Sequence, residues 1–112
     1  MPAQTFTAVL ERNRIFTQDF ETEPYEVGWA TEAIFFIKIL EVKGNCPKLE
    51  VKVQLSPEGL TWVDDDSDPL VISADGLYFI KVREFGNWLR LKCKIEGESP
   101  LFKLMIYLVL KG

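Results

Sequence analysis

Asp64, Asp66 and Asp68 are spaced as alternate ligands of a calcium loop, and Asp75 falls at the twelfth position of such a loop. Carboxylate oxygens at alternate positions are how a short loop wraps a hard cation. Pro69, however, stands where that loop needs a glycine for its sharp turn, and residues 70–73 read as strand. A solvated acidic turn is the expected state. The chain has no histidine, which removes the usual base near neutral pH and most zinc sites. Ser56 and Ser73 have no base to activate them, and no glycine-rich phosphate loop occurs. Cys46 and Cys93 lack metal spacing and are expected as two buried thiols; spacing does not settle whether they pair. These features predict a protein that is not an enzyme, with no catalytic residue, cofactor or metal.

What remains is contact chemistry. Tyr25, Trp29 and Trp88 offer flat amphipathic rings for a sugar or a protein, with core or edge packing as the alternative. Trp88 alternates with Leu89, so it shares one strand face with Arg90, Lys92 and Lys94. That stripe is either an ordinary wet sheet face or a surface that meets an acidic neighbour. Arg12 and Arg14 add two cations to the N-terminal segment. The net charge of −4 argues against a nucleic-acid partner.

The elements that must position these groups are strands. Residues 89–95 put Leu89, Leu91, Cys93 and Ile95 on one face, and residues 49–55 put Leu49, Val51, Val53 and Leu55 on one face. Residues 101–110 are apolar at almost every position, so both faces should be covered. Residues 33–42 (AIFFIKILEV) have the length of a short helix, but their aromatic and β-branched content favours a central strand. Turn chemistry is expected at residues 43–47, at Ser56-Pro57-Glu58-Gly59, at Ala74-Asp75-Gly76 and at Gly97-Glu98-Ser99-Pro100. About eight or nine short strands at regular spacing predict an all-β fold, an antiparallel β-sandwich of jelly-roll type. The expected core is Phe36, Ile37, Ile39, Leu49, Val51, Val53, Leu55, Trp62, Phe79, Leu89, Leu91, Ile95, Leu104, Ile106 and Leu108. Residues 1–14 read as an extended arm or edge strand, and residues 15–112 as one sandwich domain. No apolar run is long enough to span a bilayer as a helix, and the N-terminus lacks the pattern of a signal peptide. No membrane partner is expected.

Two segments carry a family resemblance. Residues 49–63 (LEVKVQLSPEGLTWV) run from a strand through S-P-E-G to Trp62, and residues 85–110 lead from FGNWLRLK through GESP to LMIYLVL. Together with the order of segments from residue 30 onward, this resembles the small β-sandwich structural proteins of tailed bacteriophages, in particular the capsid-decorating type. The resemblance implies a virion protein, made in the host cytoplasm, that binds the major capsid protein on the outside of the head. It also implies a homo-oligomer, with a trimer favoured. A tail or neck component differs only in partner. A similar pattern occurs in galactose-binding and discoidin-like jelly rolls, which makes a carbohydrate-binding module the alternative. This chain has Glu58 where those have Asp, lacks their cysteine-framed loops, and is shorter.

Overall fold

The computed structural model describes residues 4–112; the first three residues of the expected arm lie outside them. Eight strands occur: β1 (Thr5–Phe16), β2 (Phe20–Glu21), β3 (Tyr25–Glu26), β4 (Glu32–Ser56), β5 (Val63–Asp64), β6 (Leu70–Ile72), β7 (Gly76–Val82) and β8 (Trp88–Lys111). All pairings are antiparallel, and no helix occurs among the described residues. The fold is all-β, as expected.

Two strands dominate. β4 has 25 residues and β8 has 24, and they pair from Glu32↔Lys111 to Ser56↔Trp88. A straight strand of that length would extend roughly 80 Å, yet the longest dimension of the molecule is 49 Å. The ribbon is therefore folded in half. The fold falls at residues 43–47 and 97–100, where turns were expected. Neither is a hairpin. Each strand bends there and carries on with the same partner in the second sheet, as strands do at sandwich corners.

The corner has a stereochemical cause. Gly44 and Gly97 have φ of 117° and 123°, a region L side chains avoid. They also face each other's strand closely. A Cβ on Gly44 would lie 2.8 Å from the Ser99 carbonyl oxygen, and one on Gly97 2.9 Å from that of Cys46. Cys46 and Ser99 complete the bend with φ of 53° and 48°. Cys46 is consequently exposed, a correction to its expected burial, while Cys93 is buried; both are free thiols.

Folding the ribbon makes two sheets that face each other. In sheet I, residues 32–43 of β4 and 101–111 of β8 are flanked by β7 and β1. In sheet II, residues 48–56 of β4 and 88–96 of β8 are flanked by β5 and β6 on one side and β2 and β3 on the other. Their inner faces form one core: Ala33, Phe35, Ile37 and Ile39 with Phe102, Leu104, Ile106, Leu108 and Leu110 from sheet I, and Leu49, Val51 and Val53 with Leu89, Leu91 and Cys93 from sheet II. At the end opposite the corner, residues 27–31 and 83–87 bridge the sheets, tied by Val27 N–H to the Asn87 carbonyl (2.7 Å) and Thr31 N–H to the Lys111 carbonyl (2.8 Å). Val27 is buried there and closes the core.

Several expectations change. Phe36 and Phe79 leave the core list for the outer face of sheet I, because Phe35 takes the inward position. Trp62 lies outside sheet II, its ring under the outward Arg90. Leu55 and Ile95 are only partly buried. Residues 74–76 do not make a hairpin, since β6 and β7 pair with different halves of β4. Residues 9–14, at the end of the expected arm, hold a pair of register shifts inside β1, which runs on to Phe16.

Phe35→Ala, at a fully buried ring, is expected to cost about 3–5 kcal/mol by chemical denaturation, against under ~1.5 kcal/mol for Phe79→Ala. Gly97→Ala should lower stability by about 1–3 kcal/mol because it strains both φ and the opposite backbone. An unchanged unfolding midpoint for Gly97→Ala would contradict the corner.

Candidate functional site

The two outer faces are chemically unlike. On sheet I, Val9, Tyr107, Phe36 and Phe79 stand in one row across four strands. The Phe36 and Phe79 ring centroids are 6.4 Å apart. Ile34 and Val109 lie in the row on one side, Met105 and Leu77 in the row on the other. Leu77 is 64% exposed and Phe79 57%. The charges within these rows are Lys38 and Lys81, and the Lys81 ammonium lies 6.0 Å from the Phe79 ring. Residues 101–110 were expected to be covered on both sides. Their inner side chains are buried, but Met105, Tyr107 and Val109 remain part-exposed, with no layer of the described residues over them. Contiguous apolar patches on a monomer's surface are often functional.

The outer face of sheet II is charged. Trp88, Arg90, Lys92 and Lys94 do share it, as the alternation predicts. Arg90 is fully engaged: Nε donates to Gln54 Oε1 (2.8 Å), Nη2 lies 2.7 Å from Glu21 Oε2, and the guanidinium stacks 4.3 Å from the Trp62 ring. Lys52 donates to the Ser67 carbonyl and pairs with Asp65 at 3.5 Å. Trp88 covers the turn, 3.1 Å from where a Cβ on Gly59 would be. Lys92 and Lys94 are exposed beside Glu50 and Asp64, in a shallow hollow of about 270 Å³. Arg90 and Trp88 thus hold the sheet's own loops, leaving Lys92, Lys94 and, nearer the corner, Lys48 as its open cations.

Tyr25 and Trp29 come together at the open end of the sandwich, with Phe6, in a shallow cleft. The Phe6 and Tyr25 centroids are 5.9 Å apart. Trp88 is not part of this group. Arg12 and Arg14 sit at the irregular stretch of β1. Arg14 lies 3.3 Å from Glu11 Oε2 and 4.9 Å from the Phe16 ring, while Arg12 is exposed. The register shift turns Glu11 inward, where it is 7% exposed. Burial raises its pKa, and Arg14 only partly offsets this.

The S-P-E-G turn is organised by Glu58. Its Oε1 accepts from the Thr61 N–H (2.8 Å), the Thr61 hydroxyl (2.7 Å), the Leu60 N–H (3.1 Å) and the Ser56 hydroxyl (3.0 Å). These donors, the Thr61 N–H foremost, pull its pKa from 4.5 to about 2. Ser56 Oγ in turn accepts from the Gly59 N–H at 2.7 Å. That hydroxyl is a turn-builder and not a nucleophile.

In the acidic loop Asp64 accepts from Gln54 Nε2 at 2.9 Å, and Asp65 caps Ser67 at 2.6 Å. Among the described residues no three carboxylates, cysteines or both are placed to hold a metal ion. Burial pushes the Cys93 thiol far up, away from reactivity.

The apolar row on sheet I is the feature that sequence reasoning missed. The signal lay in AIFFIKIL, where Ile34 and Phe36 are as apolar as Phe35 and Ile37. Compared with known proteins, the chain matches no protein-family model and no curated protein.

Two pH effects follow. Glu58 has a depressed pKa in the folded state, so its contribution is present above pH 4.5 and is lost as pH falls towards 2. Thermal scans should show a shallower acid limb for Glu58→Gln than for the wild type. Glu11 has a raised pKa, so its ionisation disfavours the fold as pH rises. Glu11→Gln should raise Tm at pH 7, since the exposed Arg14 pair it gives up is worth under about 1 kcal/mol. A lower Tm at pH 7 would show that pair outweighing burial.

Proposed function

We propose that this chain is a non-enzymatic structural subunit of a virion, a capsid-decorating protein that seats on the major capsid protein and self-associates. The virion role rests on the resemblance of residues 49–63 and 85–110. The observation that carries the class is the apolar face of sheet I, left uncovered by the described residues and backed by the long paired ribbon of β4 and β8. An assembly subunit needs a rigid body and a desolvatable face, and both are present here. It needs no nucleophile or base. The serine of the S-P-E-G turn is bonded within that turn and the core thiol is buried. A tail or neck component would use the same face on another partner.

One observation favours a second reading. The cleft of Phe6, Tyr25 and Trp29 has the flat rings that stack on a sugar. A carbohydrate-binding module would lose glycan binding on Trp29→Ala, whereas a decoration protein would bind no glycan on an array.

The decoration reading is tested first by whether a neighbouring reading frame encodes a capsid protein, and then with empty heads assembled from that protein. Wild-type chain should co-sediment with the heads at saturating, stoichiometric occupancy. Met105→Glu/Val109→Glu should remain folded and lose binding at least about tenfold, because a charge at the centre of an apolar contact is desolvated without a partner. Heads that take up neither protein would overturn the reading.

A further inference from the structure

The sandwich has four lateral edges, and three are defended against pairing with another chain. β1 carries two register shifts and points Glu11 inward. β2 and β3 are two residues each with Pro24 between them. β5 and β6 are two and three residues, separated by the acidic loop and Pro69. Bulges, inward charges, short strands and prolines are the devices that blunt sheet edges. β7 has none of these four, and its one charge is the exposed Lys81 on the outer face. It is seven residues long and pairs without a register shift from Ile39↔Gly76 to Ala33↔Val82, and β4 is its only strand partner among the described residues. Its free edge borders the most exposed apolar side chains of sheet I, Leu77 and Phe79.

We infer that β7 pairs antiparallel with β7 of a second copy about a two-fold axis at Phe79, joining two copies of sheet I into one continuous sheet. The sequence around the strand pairs favourably in that register at all side-chain positions but Leu77, which falls opposite Lys81 of the second copy. Phe79 meets Phe79 of the second copy on the outer face. Tyr78 lies opposite Ile80 of the second copy on the core side. Asp75 falls opposite Arg83 of the second copy, and the symmetry makes this ion pair twice. Asp75 and Arg83 are both exposed and form no ion pair among the described residues. A shift of one residue would put outer-face side chains opposite core-side ones, so the register is constrained. The pairing also extends the row of Val9, Tyr107, Phe36 and Phe79 across the axis, doubling the apolar face of sheet I. The inference deepens the self-association in the proposed function, but gives the contact two-fold order where the resemblance implies a trimer.

The test is sedimentation equilibrium of the full chain from roughly 1 µM to 1 mM. Wild type should fit a monomer–dimer equilibrium. Phe79→Lys, at an exposed side chain, should be monomeric with an unchanged circular dichroism spectrum. Asp75→Arg and Arg83→Asp should each weaken the dimer about tenfold, since two pairs become like-charged. The double variant Asp75→Arg/Arg83→Asp should restore it. A chain that stays monomeric throughout, a trimer, or a dimer indifferent to Phe79→Lys and to the charge reversals overturns the inference. Head binding separates the two proposals: a monomeric chain that still coats heads leaves decoration standing without the two-fold contact, and a β7 dimer that ignores heads does the reverse.

Discussion

A pair of antiparallel strands that bends as a unit is the constraint from which the rest of this molecule follows. β4 and β8 satisfy each other's backbone groups along their length, so neither can move to the other sheet alone. The bend needs backbone conformations and interstrand distances that exclude a Cβ, and glycine stands at the crossing point on each strand. Once the ribbon folds, the alternation of each strand decides the rest. Phe35, Ile37 and Ile39 close onto Leu49, Val51 and Val53 of their own strand, and one core results. The flanking strands add to edges that the ribbon has already defined.

The same fold makes the two outer faces unequal. In sheet II, outward positions are mostly Lys, Arg, Glu and Gln, with Trp88 and Val71 among them, and Arg90, Lys52 and Gln54 bind other side chains or the loops. In sheet I, outward positions are mostly Ile, Leu, Phe, Met, Tyr and Val, with Lys38 and Lys81 among them. A free monomer gains nothing from that second set, because a polar side chain would fill those positions without loss of core packing. Under the proposed assembly, that apolar face is desolvated by a partner and contributes through burial. The edges differ as well: three carry bulges, prolines or an inward carboxylate, and the fourth, β7, is long and regular.

Much of this was legible in the residues. Period-two alternation at residues 49–55 and 89–95 identified inward side chains, and the structure buries Leu49, Val51, Val53, Leu89 and Leu91 as read. The all-β class followed from turn chemistry and β-branched content. Long-range geometry was not legible. Gly-Asn-Cys-Pro and Gly-Glu-Ser-Pro look like hairpin turns because a corner and a turn need the same positive-φ residues. Only the pairing of two segments about fifty residues apart tells them apart. Likewise FF in AIFFIKIL leaves open which phenylalanine faces the core, since both alternations are apolar. Trp88 and Arg90 were correctly placed on one face, but that they clamp the molecule's own turn and Glu21 depends on loops whose path no local pattern encodes.

The account requires the folded ribbon to be a single cooperative unit. Native-state hydrogen exchange measures this directly, residue by residue, on amides in both halves of β4 and β8. Phe35, Ile37, Val51, Val53, Leu91 and Ile106 should exchange with one common opening free energy, equal to that of global unfolding. If the sheet II amides opened at a distinctly lower free energy than those of sheet I, the two halves would be separate units and the ribbon would not be what holds the fold together.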